Sequence, residues 1–388
     1  MRPNLNLKLE FRMKRRHALT LIATGAASAV ALPAHAQGER RWVLGQSAAL
    51  SGPAAALGIE MNRGAQIYFD RINAQGGVAG RKIELKSLDD GYEPDRCRSN
   101  TETLIRGDVF ALFGYVGTPT ALAALPLATV GKVPFFAPFT GAEALRDPFN
   151  PLVFHVRASY FDETALIVKQ LTSLGLNRIG VFRQNDSYGQ AGLDGVVRAL
   201  KPLKLEPVAV GLVERNSTDV AAAVQALVAK QPQAIVQISA YKSCAAFVRA
   251  ARQAGYGGTI YNVSFVGTQA LATELGKDGT GVVVSQVMPF PFNTTTPLGR
   301  EYLEALRQAG GNAVPNYSSM EGFVAAKVFT EGLRRAGGNP SRDSLITGLE
   351  TMQRWDAGGY TVNFGPRDHA ASRFVELSML TGDGKVRR

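Results

Sequence analysis

Val109-Phe-Ala-Leu-Phe-Gly-Tyr115 runs into Val116-Gly-Thr-Pro-Thr120, and Val133-Pro-Phe-Phe-Ala137 runs into Pro138-Phe-Thr-Gly-Ala142. These are two successive apolar strands, and each ends in a turn of small and hydroxyl residues. Such strands alternating with helices point to a parallel sheet, where ligands bind at the strands' carboxyl ends. Thr118 reads as a helix N-cap, with Pro119 as the first helical residue and residues 121–129 as the body. Unpaired backbone N–H groups then face outward at the strand's end. A carboxylate placed there gains about 0.3–1 kcal/mol.

The same alternation extends in both directions. Residues 42–47 form a short strand, followed by a loop through Leu50-Ser-Gly-Pro53 and a helix in which Met61, Ala65, Tyr68 and Ile72 recur at helical spacing. Residues 82–88 form the next strand and 95–106 the next helix. The pair Asp89-Asp90 predicts a solvated turn, since adjacent residues at a strand end point to opposite faces. A second series begins after residue 158, with helices over 163–174, 190–200 and 219–230 and one running from Ser239 to Ala254. Its strands are 178–182, 208–213, 234–238, 259–263 and 281–287, with residues 185–189 as a loop. Helices over 298–308 and 319–336 have no strand between them and are expected to return to the first sheet. Strands over 360–364 and 373–380 are expected to pair and finish the second sheet. The fold class is α/β, with two doubly wound parallel-sheet lobes and three crossings between them. Multiple extended crossings make a hinge.

The expected division is a signal peptide over 1–36, a first lobe of 37–157 plus 288–358, and a second lobe of 158–287 plus 359–388. Lys14-Arg15-Arg16, an apolar run over 18–32 and Ala34-His-Ala36 form a cleavable export signal, with the mature chain starting at Gln37. Residues 1–36 hold six basic residues and one acid, so removing them lowers the net charge from +11 to +6. The remaining charge is scattered, which argues against a nucleic-acid partner. Cys97 and Cys244 fall in different lobes, which disfavours a disulfide. His155 and His369 have no ligand-spaced neighbours, so neither a metal nor a cofactor is expected.

No G-x-S-x-G, H-E-x-x-H, phosphate loop or dinucleotide fingerprint occurs, and a binding module fits better than an enzyme. Leu50-Ser-Gly-Pro53 with Gly58, Ile72-Asn-Ala-Gln-Gly-Gly-Val-Ala-Gly80 before Asp89-Asp90, and Tyr188-Gly189 resemble the periplasmic receptors of branched-chain amino-acid-type ABC transporters. Gly114-Tyr-Val-Gly-Thr-Pro-Thr120 and Arg157-Ala-Ser-Tyr160 resemble one subgroup of them. The resemblance implies a type I periplasmic binding fold, a periplasmic monomer, and delivery of a small ligand to a membrane permease driven by a cytoplasmic ATPase. An alternative is presentation of the closed form to a membrane sensor.

The resemblance also implies a site. Thr118 stands where the ligand carboxylate is received, and Phe139, Thr140 and Gly141 lie in the loop that holds the ligand head. Tyr188 and Tyr241 are aromatic walls from the second lobe, and Leu57 touches the ligand side chain. Two positions depart from the family pattern: Gly141 replaces a threonine, and Ser264 replaces the acid that pairs with a ligand ammonium. An ammonium buried without that partner loses a charge-assisted contact. The expected ligand is therefore a small carboxylate or amide, ahead of an amino acid. Asp162 and Asp186 are the acids that could restore the missing charge.

Overall fold

Parallel pairing begins at the first described strand. The structure, a computed structural model, describes residues 41–388 apart from residue 312, so the export signal read at 1–36 lies outside the described residues. Trp42–Ala48 (β1) pairs with Ile83–Asp89 (β2) on one edge and with Ala111–Phe113 (β3) on the other. Phe135–Phe136 (β4) and Val153–Phe154 (β5) complete a parallel sheet ordered β2-β1-β3-β4-β5. Its intervening helices are Ala55–Ala74 (α1), Pro94–Arg106 (α2) and Thr118–Val130 (α3).

The chain then enters a second sheet. Its elements are Tyr160–Ser173 (α4), Ile179–Gln184 (β6), Ser187–Leu200 (α5), Ala209–Val213 (β7), Ala221–Val228 (α6) and Ala234–Ile238 (β8). Tyr241–Gln253 (α7), Thr259–Asn262 (β9), Thr268–Leu275 (α8) and Val283–Gln286 (β10) follow. Pro297–Ala309 (α9), Tyr317–Arg335 (α10) and Arg342–Glu350 (α11) come next, then Trp355–Asp356 (β11), Thr361–Val362 (β12), Glu376–Leu380 (β13) and Val386–Arg387 (β14). The second sheet is ordered β14-β13-β10-β9-β8-β6-β7.

Helix α10 packs along α1 rather than on the sheet that precedes it. Two glycines permit the contact: a Cβ on Gly64 would meet Ser319 O at 1.8 Å, and one on Gly322 would meet Met61 O at 2.1 Å. Backbones that close exclude any larger residue at those positions.

Several expectations need correction. Strand β12 pairs with β11 in a separate two-stranded ribbon, while β13 joins β10 antiparallel and β14 pairs antiparallel to β13. The second sheet is thus mixed at that edge, and the strands expected at 360–364 and 373–380 do not pair with each other. The apolar runs at 109–115 and 133–137 pair over only three and two residues in β3 and β4, because Gly114 and Ala137 turn to positive φ. Asp90 is fully buried, not solvated. Its carboxylate accepts from Ser47 Oγ at 2.7 Å and from Tyr92 N at 2.8 Å. Asp89 is the loop clamp beside it, accepting from the Leu50, Ser51 and Gly91 amides and from Arg96. Cys97 and Cys244 are both buried and free.

Candidate functional site

The carboxyl ends of the two sheets' strands face a common seam. Val116 pairs with Phe139 beyond the strands proper, and Phe139 N donates to Tyr115 O at 2.7 Å. The two sequence-predicted turns are thereby held side by side. Gly117, not Thr118, is the N-cap of α3, and Thr118 is the first helical residue. The Thr118 hydroxyl is instead hydrogen-bonded to that of Thr140, 2.6 Å away. Thr140 also donates to the Tyr160 hydroxyl at 3.4 Å. The Thr118 and Thr120 amides precede the first backbone bond of the helix, Ala121 N to Gly117 O.

Gly141 lies under Tyr160, whose amide donates to its carbonyl at 2.8 Å. A Cβ at Gly141 would stand 2.7 Å from Tyr160 N and 2.9 Å from the Tyr160 ring. The space beside Tyr160 therefore has no room for a side chain at position 141.

Tyr188 sits in the first turn of α5, not in a loop. Asp186 caps that helix by accepting from the Tyr188 and Gly189 amides at 3.0 and 3.3 Å. Asp162 is likewise engaged, in a capping box with Ser159 at the start of α4. Neither aspartate is available to answer a ligand ammonium in the way the sequence suggests.

An aromatic layer crosses the seam around Phe265, a residue the sequence reading did not single out. Its ring lies 4.6 Å from Tyr188, 5.6 Å from Phe139 and 5.9 Å from Tyr92, centroid to centroid. Tyr160 extends the layer, 5.4 Å from Tyr188. Tyr188 thus has a ring on each of two sides, but its hydroxyl is buried without a hydrogen-bond partner.

Beneath this layer lies a buried charge cluster that sequence reasoning also missed. Arg157, on the link between β5 and α4, donates through Nη2 to Ser264 Oγ and lies over the Phe139 ring, 4.7 Å from its centroid. Its guanidinium is 4.0 Å from Glu163 Oε1 and 3.6 Å from Glu321 Oε1. Glu163 accepts from Ser264 N at 2.7 Å, Ser264 Oγ at 3.0 Å and Ser285 Oγ at 2.6 Å. Ser264 therefore holds an acid from α4 through both its amide and its hydroxyl. Burial raises the Glu163 carboxyl, with Arg157 and the serine donors opposing it. Burial likewise pushes Glu321 up to about 7, against Arg157. On Arg157 burial works against the charge, but Glu321 and Glu163 outweigh it and raise its pKa.

The sequence-predicted residues thus separate into two groups. Phe139 and Ser264 border a cavity of about 10 Å³ with Arg157, Gln286, Tyr317 and Glu321. Leu57 and Tyr241 line a chamber of about 350 Å³ between α1, α7, α8 and the start of α10, together with Glu60, Lys242 and Gln269. Ser318 borders both spaces. Thr118, Thr140, Gly141 and Tyr188 lie behind them in the packed seam. Among the described residues no group of three or more His, Cys, Asp or Glu side chains could hold a metal ion.

Direct bonds also cross the seam nearer its rim. Gln184 Nε2 donates to the Tyr92 hydroxyl at 3.2 Å. Asn216 Nδ2 donates to Gly91 O at 3.0 Å and to Glu93 at 2.7 Å, and Arg215 donates to Glu93 at 2.9 Å.

Two α/β sheets meeting at their strand ends around a polar seam define a small-molecule binding protein of the type I periplasmic class. A profile of the periplasmic binding protein family matches residues 42–385, and the chain belongs to that family. It is 27% identical over 383 residues to Leu/Ile/Val-binding protein homolog 7 of Brucella suis biovar 1 (strain 1330), covering 94% of this chain and 95% of the relative. A possible leucine/isoleucine/valine-binding protein from Rhodopirellula baltica SH 1 superposes with a TM-score of 0.87 at 36% identity, over 90% of this chain and 96% of that one. A substrate-binding periplasmic protein from Ralstonia solanacearum gives 0.84 at 33%, over 89% and 99%.

Proposed function

We propose that the protein is a periplasmic receptor that closes two hinged lobes on a small carboxylate or amide and delivers it, as a monomer, to an ABC transporter permease. The lobes would be residues 37–157 plus 288–358 and residues 158–287 plus 359–388, carrying the five-stranded and the seven-stranded sheet, with the β11–β12 ribbon across their boundary. The observation that carries the reading is the composition of the seam. Its buried centre contains Arg157, Glu163, Glu321 and Ser264, and its rim is closed by hydrogen bonds such as Asn216 to Glu93. An interface meant to stay shut would be apolar, because charged pairs taken out of water cost several kcal/mol per ion unless fully compensated. A polar seam can instead re-solvate when the halves part. Once the lobes part, an oxygen of the ligand would meet the two hydroxyls, Thr118 and Thr140, and the amides at the start of α3. Tyr188, Phe139 and Tyr241 would supply flat apolar walls.

Thermal unfolding against amino acids, aliphatic and aromatic acids and amides tests this reading. A ligand at a hundred times its Kd stabilises the folded state by about 2.7 kcal/mol. Absence of any stabilisation across such a panel, with substrate turnover by the pure protein, would replace the receptor reading with an enzymatic one.

A further inference from the structure

We propose that Arg157 and Glu321 act together as a donor–acceptor reader selecting a primary carboxamide or urea group over the corresponding carboxylate. This rests on the receptor reading above and names the ligand class of that site.

The inference starts from what each atom of Arg157 does. Nη2 is committed to Ser264 Oγ. Nε and Nη1 are buried and have no hydrogen-bond partner, although the residue is 1% exposed. An arginine fixed on one side and left with two buried donors calls for an acceptor. Glu321 Oε1 is close enough for charge attraction at 3.6 Å but too far for a hydrogen bond. Among the described residues no hydrogen bond reaches the Glu321 carboxylate, whereas Glu163 is saturated by three donors. Guanidinium donors and a free carboxylate therefore border the same small cavity, which Phe139, Tyr317 and Met288 close with apolar surface.

A carboxamide matches both. Its oxygen accepts from the guanidinium, and its adjacent N–H donates to Glu321. A carboxylate matches only the first, because its second oxygen would face the Glu321 oxygens as a like charge with no proton between them. Glu163 and Glu321 already share the Arg157 guanidinium, with Arg146 as the second cation of the cluster, so a further negative charge adds a repulsion that a neutral amide does not. The cavity in the closed form holds about 10 Å³, roughly one water at most. The head group must then enter while the lobes are apart, with the ligand's body in the adjoining chamber of about 350 Å³ across Ser318.

The charged and titratable groups around Glu321 are Arg157 on the β5–α4 link, Glu163 on α4, Arg146 beyond the turn Glu143–Leu145, and the Tyr360 and Tyr317 hydroxyls. With Glu321 raised to about 7, a carboxylate can use the same place only after Glu321 takes up a proton and becomes the donor. Carboxylate affinity should therefore rise about tenfold from pH 8 to pH 5.5, while amide affinity should not.

Calorimetric titration of the mature chain at pH 8 with acetamide against acetate, isobutyramide against isobutyrate, benzamide against benzoate, and urea tests the assignment. The amide of a binding pair should be at least tenfold tighter, and Glu321→Gln should cut that ratio at least tenfold. Equal or tighter binding of the carboxylate at pH 8 overturns the inference. So does binding of an α-amino acid while every amide fails, and that result leaves the receptor reading standing. If no compound binds and none alters the scattering profile, the receptor reading falls and takes this one with it. Should Glu321→Gln not fold, the pH comparison on the unaltered chain decides: carboxylate affinity that is flat between pH 5.5 and 8 also refutes it.

Discussion

Replacing Glu321 by glutamine should make the unliganded protein more stable at pH 8 and leave it unchanged near pH 4.5. Glu321 is buried, and its carboxyl is raised from 4.5 to about 7 by burial, against the attraction of Arg157. A carboxyl whose folded pKa is raised binds its proton more tightly in the folded than in the unfolded state. Its stabilising effect is then complete below the unfolded value and lost as pH rises through the folded one. The difference corresponds to about 3 kcal/mol between pH 4.5 and pH 8. Glutamine copies the neutral acid in shape and does not titrate. Since the shift already includes the attraction of Arg157, the variant should recover most of that amount at pH 8. A chain of this size unfolds with an entropy of about 0.7 kcal/mol/K, so the gain corresponds to a Tm rise of about 4 °C. Differential scanning calorimetry of both proteins at pH 4.5, 6 and 8 would show the two Tm values diverging upward with pH. A variant less stable at pH 8, or displaced equally at all three, would refute the electrostatic account of the cluster.

Other expectations concern the rim, the first-lobe turns and the pocket wall. Asn216→Ala removes two hydrogen bonds across the seam, to Gly91 O and Glu93, and should weaken binding of any closing ligand about fivefold to tenfold, read by calorimetry with little change in unliganded Tm. Gly141→Thr drives a Cβ to 2.7 Å from Tyr160 N, so it should destabilise the fold by about 1–3 kcal/mol in urea titration. Thr118→Val breaks the 2.6 Å bond to Thr140 and should cost about 1 kcal/mol of stability. Carboxylate binding that is unimpaired in this variant would remove the Thr118 hydroxyl from the ligand site.

The alternation of buried strands and amphipathic helices was readable because each apolar run is bounded by a turn signal, as at Gly114 and Gly117. What failed was local. The run 133–137 looks like a five-residue strand, yet only Phe135–Phe136 pairs before Ala137 turns to positive φ, a distinction composition does not carry. Asn185-Asp-Ser-Tyr-Gly189 is turn-rich and reads as a loop, but Asp186 is a helix cap, which turn residues also are. Of the residues singled out from the sequence, Phe139 and Ser264 border the deep cavity, and Leu57 and Tyr241 the chamber. The buried charges were not seen, although a signal existed. Glu163 shares the buried stripe of α4 with Ile167 and Leu171, and Glu321 that of α10 with Val324 and Val328. An acid on an apolar stripe needs a buried cation, and Arg157 lies in the Arg157-Ala-Ser-Tyr160 segment that leads into α4. Its three-dimensional neighbours, from residues 139, 264 and 321, are too far apart in sequence for spacing to reveal.

Small-angle scattering of the mature protein with and without a ligand that raises its Tm bears most directly on the idea that the two sheets belong to halves that part and close around a guest. The account predicts a larger radius of gyration in the free protein, and contraction on binding to the profile of a form in which Asn216 is bonded to Glu93 across the seam. Identical profiles, each fitting that closed form, would contradict it.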